Sequence, residues 1–251
     1  TPHVRPRISR SRCYPSCSND FDAVCEERQN TRKKSIDCCC RIAMIIDKKG
    51  QETFSTHLDV SRETLELFAC YGELLVKWQS KINLVSGKTL DDIWLRHFLD
   101  SAQLFRLLPA KNKSILDVGS GAGFPGLVLV LMGARNVTLI ESDTKKCMFL
   151  REVLRQTGKS ANIVNCRIEE YGYREFDIVT ARALAPMERL LSYVKPYFGA
   201  HTKGLFPKGE QVDEELTKAM KQWKLEVSRV PSITSNTGVI LVVEKILSGP
   251  E

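Results

Sequence analysis

The chain has 251 residues, a hydrophobic fraction of 43%, a charged fraction of 27% and a formal net charge of +7. This length suffices for one α/β core with added elements, and the composition is typical of a globular protein. No apolar run reaches the roughly 18 residues of a transmembrane helix, and no apolar signal-peptide core lies near the start, so we expect a cytoplasmic protein. The charge is compatible with nucleic-acid contact but does not require it.

Residues 1–52 form a basic, cysteine-rich stretch without a sustained hydrophobic period. They hold 11 Lys/Arg, 7 Asp/Glu and six of the nine cysteines. Three of these, Cys38, Cys39 and Cys40, are consecutive, which does not suit a tetrahedral metal site, and a disulfide framework belongs to secreted proteins. We therefore expect no metal, and we interpret 1–52 as an extension with little core of its own or as a misassigned start, with Met44 as an internal candidate.

Two helices are predicted in residues 53–110, which we expect to form a helical region ahead of the sheet. Ser61 suits the N-cap of the first, and apolar residues follow it at three- and four-residue steps. The second helix is predicted over 91–108. It carries a polar cluster in which Arg96 and Asp100, four residues apart, are spaced to pair across one turn, with His97 and Ser101 beside them.

Residues 114–126 read SILDVGSGAGFPG and are the most informative segment of the chain. The pattern predicts a buried strand that ends at Asp117, followed by a tight glycine turn. Pro125 suits the first turn of a following helix. Because ligands bind outside the carboxyl ends of strands in open α/β sheets, the segment predicts a site for a nucleoside-bearing cofactor.

The identity of that cofactor depends on Asp117. Gly121, Gly123 and Gly126 satisfy the G-x-G-x-x-G spacing of dinucleotide-binding proteins, so an NAD(P)-linked oxidoreductase is one interpretation. An acidic side chain directly before the glycines would repel a pyrophosphate, however, and would suit the cationic sulfonium of S-adenosylmethionine. The string DVGSGAG also resembles motif I of the class I methyltransferases.

Residues 111–247 alternate between strand and helix patterns, which predicts an α/β fold with a mostly parallel sheet. The last two strands are separated only by a short turn region, and we expect them to close the sheet as a hairpin-like pair with one antiparallel edge strand. The predicted strands after the glycine turn are 137–140, 163–165, 176–180, 204–206, 225–230 and 239–243, and the predicted helices are 145–154, 187–197 and 210–221.

Polar residues follow several of these strands at the edge where the cofactor is expected. Glu141 ends the second strand about 20 residues beyond the glycines, where an acid can accept the ribose hydroxyls. Ile168 and Glu169 follow the third strand beside the expected adenine. Arg182 follows the fourth strand and could bind a methionine carboxylate or a substrate phosphate. Lys208, past the fifth strand, is a candidate phosphate contact.

Five strings, KINLVS, LRHFLDS, DVGSGAGFPG, TARALAP and PKG, occur in this order, and together they resemble the RsmG (GidB) family. The resemblance runs from about Thr53 to Ile246 and implies a class I methyltransferase fold with a seven-stranded sheet. Its members methylate N7 of a guanine in the 530 loop of bacterial 16S ribosomal RNA, using S-adenosyl-L-methionine. The resemblance implies cofactor contacts at Gly119, Phe124, Ile168, Glu169 and Arg182, and RNA contacts at Arg96, His97 and Lys208.

The expected partner is accordingly 16S ribosomal RNA or the small ribosomal subunit, bound by a monomer, and no single residue is assigned to the chemical step. Three alternatives stay open on the sequence. They are the NAD(P)-linked oxidoreductase, a non-catalytic RNA-binding assembly factor with the same fold, and a methyltransferase acting on a small molecule.

Overall fold

The computed structural model describes residues 48–250. Most of the predicted 1–52 extension, including its cysteines and Met44, lies outside the described residues. Helix α1 (Lys48–His57) begins within the last residues of that extension. Helix α2 (Arg62–Gln79) begins where the sequence predicts, because Ser61 Oγ accepts a hydrogen bond from Thr64 N at 3.3 Å.

The sequence predicts a single helix over 91–108, and this stretch is helical but is not one regular helix. The chain instead forms a series of helical turns, which we call the helical segment 87–107. Two 3₁₀ turns, Gly87–Asp92 and Gln103–Leu107, flank a π-helical stretch, Trp94–Leu99, and one α-helical turn, Asp100–Ala102. The π-helical stretch buries Trp94, His97, Phe98 and Leu99.

A seven-stranded sheet in the order β3-β2-β1-β4-β5-β7-β6 forms the centre of the fold. The first five strands pair in parallel, and β7 is antiparallel to both β5 and β6. This confirms the predicted α/β class with a mostly parallel sheet of seven strands. The strands are β1 (Ser114–Val118), β2 (Asn136–Ile140), β3 (Asn162–Val164), β4 (Ile178–Thr180), β5 (Lys203–Lys208), β6 (Lys224–Pro231) and β7 (Val239–Ser248).

The position of the antiparallel strand differs from the prediction. It is not the edge strand, because β7 folds back between β5 and β6 and leaves β6 at the edge. The burial of the two strands explains this order. Residues 240–243 of β7 are buried in succession, as expected for a strand covered on both faces, whereas β6 is mostly exposed.

Helices cover both faces of the sheet. On one face lie α1, α2, the helical segment 87–107, α3 (Gly126–Leu131) and α4 (Thr144–Thr157), and their core includes Ile115 of β1. On the other lie α5 (Met187–Val194) and α6 (Val212–Ala219), whose core includes Leu116. Adjacent residues of a strand point to opposite faces, so β1 contributes to both cores.

The strand order places a switch point beside β1. The chain runs outward from β1 to β2 and β3, and then returns to place β4 on the other side of β1. Loops leaving the carboxyl ends of β1 and β4 therefore diverge and leave a crevice, as in other open α/β sheets. Within residues 48–250, no helix combines the length and apolarity needed to span a membrane.

Candidate active site

A crevice of about 580 Å³ lies at the carboxyl edge of the sheet. Its volume falls in the range of small-molecule and cofactor sites. The helical region contributes one wall, and the loops after β1, β2, β3 and β4 contribute the others. The lining residues come from the stretches 84–97, 118–124, 140–146, 166–169 and 182–193.

The loop after β1 is bound to three other parts of the fold. Gly119 has a φ of +67°, and a Cβ there would lie 2.5 Å from Leu184 Cδ1, so both conformation and space require glycine. Gly121 N donates a hydrogen bond to Glu141 Oε2 at 2.8 Å. From α2, the buried Tyr71 hydroxyl donates to the carbonyl of Ala122. Side chains from outside the loop therefore hold its backbone in place.

Asp117 lies beneath the glycine loop and does not face the crevice, contrary to the prediction. Its side chain is fully buried; Oδ2 accepts a hydrogen bond from Gly126 N at 3.1 Å, while Oδ1 has no partner among the described residues. Burial raises the pKa of Asp117 to about 7, and the hydrogen bond from Gly126 only partly opposes that rise. The carboxyl group thus anchors the start of α3, and its charge is not presented to a ligand.

Glu141 occupies the position that the sequence predicts, directly after β2 and in the crevice wall. Oε2 accepts a hydrogen bond from Gly121 N, and Oε1 accepts one from Asp143 N at 2.8 Å. Each carboxylate oxygen has two acceptor sites, so one remains on each oxygen for a ligand. The two backbone amides therefore orient Glu141 without exhausting its capacity to bind hydroxyl groups.

The turn after β3 forms the adjoining wall. Ile168 and Glu169 belong to a short 3₁₀ turn, Ile168–Glu170, and both line the crevice. Tyr197 holds this turn from below, because its hydroxyl lies within hydrogen-bond distance of two carbonyls, of Tyr171 at 2.7 Å and of Ile168 at 2.9 Å, and its one proton is donated to them. The turn presents an apolar side chain and backbone groups, which suits the face and edge of a flat ring.

Arg182, Phe124 and His97 form a stacked cluster at the opposite wall. The guanidinium carbon of Arg182 lies 4.8 Å from the centre of the Phe124 ring, and the His97 ring stacks on Phe124 with centroids 4.9 Å apart. Arg182 also makes an ion pair with Asp100, in which Nη1 lies 3.1 Å from Oδ2. The cluster joins three parts of the fold. Arg182 follows β4, Phe124 belongs to the loop after β1, and His97 and Asp100 belong to the helical segment 87–107.

The hydrogen bonds of His97 define its tautomer. Burial, together with the neighbouring Arg182 cation, lowers the pKa of His97 to about 3, so the ring is neutral. Arg182 Nη2 donates to Nδ1 at 2.9 Å, which leaves the proton on Nε2 to be donated to Thr89 Oγ1 at 2.8 Å. Thr89 in turn donates to the carbonyl of Ser86 at 2.8 Å. His97 therefore positions its neighbours and has no free nitrogen to take a proton.

Sequence comparisons identify the family of the chain. The chain matches the model of the GidB family, described as rRNA small subunit methyltransferase G, over residues 64–241. The chain belongs to the GidB family. Ribosomal RNA small subunit methyltransferase G of Paramagnetospirillum magneticum is 48% identical over 200 residues, which cover 80% of this chain and 98% of the relative. The protein of the same name from Rhodospirillum rubrum is 47% identical over 195 residues, covering 78% and 97%.

Solved structures resemble this GidB-family chain more distantly. The ribosomal protein L11 methylase of Lactobacillus delbrueckii subsp. bulgaricus gives a TM-score of 0.49 at 14% identity, covering 58% of this chain and 76% of that one. A TehB-like SAM-dependent methyltransferase from Corynebacterium glutamicum gives a TM-score of 0.46 at 18% identity, covering 60% and 88%. Membership of the family therefore rests on the sequence matches.

The structure brings most of the predicted site residues of this GidB-family chain together. The predicted cofactor contacts and one predicted RNA contact all line the crevice: Gly119, Phe124, Glu141, Ile168, Glu169, Arg182 and His97. The two other predicted RNA contacts, Arg96 and Lys208, lie outside the crevice lining.

Arg96 and Lys208 have partners that the sequence does not indicate. Lys208 Nζ contacts Glu215 Oε2 at 2.7 Å and donates to the carbonyl of Ala185 at 3.2 Å, and its side chain is only 11% exposed. The pairing of Arg96 with Asp100 is wrong, because Asp100 binds Arg182. Arg96 instead points outward, with Nε 3.9 Å from a carboxylate oxygen of Asp92 on the preceding turn.

The sequence predicts no role for several residues that line the crevice. Leu84, Val85 and Ser86 belong to the string KINLVS, which carried the resemblance but received no role. Tyr71 lies behind the crevice lining and holds the loop after β1, a role that the sequence does not indicate, because a tyrosine at helical spacing predicts only a buried helix face. Leu184 lies close to Arg182 in the chain, and its contact with the glycine loop depends on the φ of +54° at the residue between them, which no spacing rule indicates.

Proposed function

We propose that the chain transfers the methyl group of S-adenosyl-L-methionine to N7 of a guanine in the 530 loop of 16S ribosomal RNA. Membership of the rRNA small subunit methyltransferase G family, over residues 64–241, is the observation that carries this proposal. The crevice supports it, since its volume and its wall chemistry fit a nucleoside joined to an amino acid. When bound, this cofactor supplies a methyl group carried on a cationic sulphur.

The residues present fit the parts of the proposed cofactor. Glu141, fixed by two backbone amides, has an acceptor site left on each oxygen for the ribose hydroxyls. The Ile168–Glu169 pair offers an apolar side chain and a backbone amide to the adenine. Gly119 lines the crevice in a backbone conformation, and in a contact with Leu184, that a Cβ would prevent. Arg182, which lines the crevice, would bind the methionine carboxylate through N–H groups that its bonds to residues 96–100 leave unused.

No residue of the crevice has to act as a base in this reaction. Guanine N7 carries an in-plane lone pair and no proton, so it can attack a methyl group without prior deprotonation. His97 agrees with this, because its ring is neutral and both of its nitrogens are engaged. The protein's contribution is then alignment, which can supply roughly 7–11 kcal/mol.

The RNA side of the proposal concerns the mouth of the crevice. N7 lies on the Hoogsteen edge of guanine, which becomes accessible when a base is splayed from a loop. Arg96 is well exposed on the helical segment 87–107, and within residues 48–250 its side chain makes only a long contact to Asp92, so it can reach a phosphate. We retain Lys208 as a weaker candidate, because it would first have to leave Glu215.

The decisive experiment measures methyl transfer and the atom that receives it. Purified protein and S-adenosyl-L-methionine with a labelled methyl group are incubated with small ribosomal subunits, and with free 16S ribosomal RNA, that lack the modification. We expect label in the RNA and strand cleavage at one guanine of the 530 loop after borohydride and aniline treatment, which is specific for N7-methylguanine. Label without such cleavage would refute the N7 assignment, and no label in either RNA would refute the function.

A matched substrate control separates the atom from the base. An RNA fragment of the same loop is prepared with 7-deazaguanosine at the target position, so that carbon replaces N7 and the rest of the base is unchanged. We expect this RNA to compete for binding but to receive no methyl group. Methylation of the deaza substrate would assign the reaction to a different atom.

A further inference from the structure

One side of the Arg182 guanidinium is hydrogen-bonded to the helical segment 87–107. Nη1 donates to Asp100 Oδ2 and to the carbonyl of Arg96, both at 3.1 Å, and Nη2 donates to His97 Nδ1 at 2.9 Å. A guanidinium has five N–H groups, so these bonds use three of them. The Nε–H and one Nη2–H have no partner within residues 48–250, and Arg182 lines the crevice.

Asp100 is the only charged member of that set of acceptors, and it is itself held in place. Oδ1 accepts hydrogen bonds from Thr234 Oγ1 at 2.9 Å and from Gln103 Nε2 at 3.1 Å. Gln103 also accepts from Ile233 N through Oε1 at 2.9 Å. The turn between β6 and β7 therefore fixes the carboxylate to which Arg182 is bound.

The bonds of Arg182 to residues 96–100 determine which side of its guanidinium is left for a ligand. Phe124 covers one face of the guanidinium, and Asp100 with its two neutral neighbours occupies one edge. The remaining fork of two N–H groups matches the geometry of a carboxylate. A small rotation of the guanidinium would misdirect both donors, and the ion pair to Asp100 is the strongest single restraint against it.

We propose that Asp100 is a positioning residue, which orients Arg182 for the carboxylate of the methyl donor and is itself oriented by Thr234 and Gln103. This inference rests on the part of the proposed function in which Arg182 contacts the donor. It makes the helical segment 87–107 and the β6–β7 turn part of the cofactor site, although neither belongs to the glycine loop or to the strand ends around it.

Binding of S-adenosylhomocysteine, measured by titration calorimetry, tests the inference without requiring turnover. This probe carries the same amino-acid carboxylate. We expect Asp100→Asn to weaken its binding about tenfold, and Thr234→Val, which removes a hydroxyl outside the crevice, to weaken it about twofold to threefold with recovery in Thr234→Ser. The matched control is Asp91→Asn, the same substitution at an exposed position of the same segment, which should bind like the wild type.

A double-mutant cycle distinguishes positioning from a merely structural role. If Asp100 acts through Arg182, then Asp100→Asn should change the dissociation constant less than twofold in an Arg182→Ala background. Equal losses in both backgrounds, or unchanged binding in both Asp100→Asn and Thr234→Val, would overturn the inference. Wild-type affinity in Arg182→Ala would overturn it together with the donor contact of Arg182, whereas failure of the proposed function would appear separately as absent methyl transfer to RNA.

In turnover with the RNA substrate, the positioning role predicts a raised KM for the donor with an unchanged KM for the RNA. A general loosening of the fold would instead lower the melting temperature and affect both constants. A rise in the RNA constant alone would contradict the inference, because it would place Asp100 on the substrate side.

Discussion

Replacing Asp117 with asparagine should change how the stability of this protein depends on pH. The wild-type carboxyl is fully buried beneath the glycine loop, and burial raises its pKa from 3.8 to about 7. In the unfolded chain the group ionises near its ordinary value, so the folded state binds more protons between about pH 4 and 7. Stability from this group is therefore complete below about pH 4 and is lost as the pH rises toward 7.

The structure sets the size of the effect. Each unit of pKa shift corresponds to about 1.4 kcal/mol, so the full loss is about 4 kcal/mol, and about 3 kcal/mol of it falls between pH 5 and pH 8. The side-chain amide of the Asp117→Asn variant would keep an oxygen for the hydrogen bond from Gly126 N but would carry no charge at any pH. The free energy of unfolding of the variant should thus rise relative to the wild type by about 3 kcal/mol over this range.

Urea unfolding in the absence of cofactor, at pH 5 and pH 8, measures this difference. The comparison of the two proteins at each pH removes contributions they share, such as that of His97, whose lowered pKa acts in the opposite direction between about pH 3 and 6.5. A difference between the wild type and the variant that does not change with pH would refute a raised pKa at Asp117.

Three substitutions test the crevice and the support of the loop after β1. Tyr71→Phe leaves the buried carbonyl of the glycine loop without its donor, so we expect a loss of about 1–3 kcal/mol in the free energy of unfolding and weaker binding of S-adenosylhomocysteine. Glu141→Gln should weaken that binding by about 1.5–3 kcal/mol, or roughly tenfold to a hundredfold by calorimetry, because hydrogen bonds to a charged acceptor are lost. Gly119→Ala should abolish measurable binding, since its φ of +67° and the side chain above it exclude a Cβ.

The substitutions of Tyr71 and Glu141 each have a control in the same chain. Tyr173→Phe removes a hydroxyl from an exposed tyrosine, and Glu152→Gln changes a glutamate on α4, away from the crevice lining; both should bind the probe like the wild type. If Tyr71→Phe were as stable as the wild type, the hydroxyl would not support the loop. If Glu141→Gln bound normally, the ribose assignment would be wrong.

Much of the fold follows from local patterns that the sequence displays directly. The glycine spacing after β1, the acid that follows β2 and the alternation of strand and helix patterns predict a parallel sheet with its site at the carboxyl edge, and the structure confirms this arrangement of elements. The sequence does not predict the order of β6 and β7 in the sheet, because both have the pattern of short apolar strands. Which of them is buried on two faces depends on the helices that cover the sheet.

The sequence by itself determined where the crevice lies and which strand-end residues line it, because strand period and glycine conformation are properties of a few neighbouring residues. The tertiary structure alone decided the partners within the crevice. Asp100 binds Arg182, 82 residues away, rather than Arg96 on the preceding turn, and Asp117 lies under the loop rather than beside a ligand. The first outcome follows from how the helical segment 87–107 packs against the sheet, and the second from how α3 begins above Asp117. Burial and distance of this kind have no signature in residue spacing.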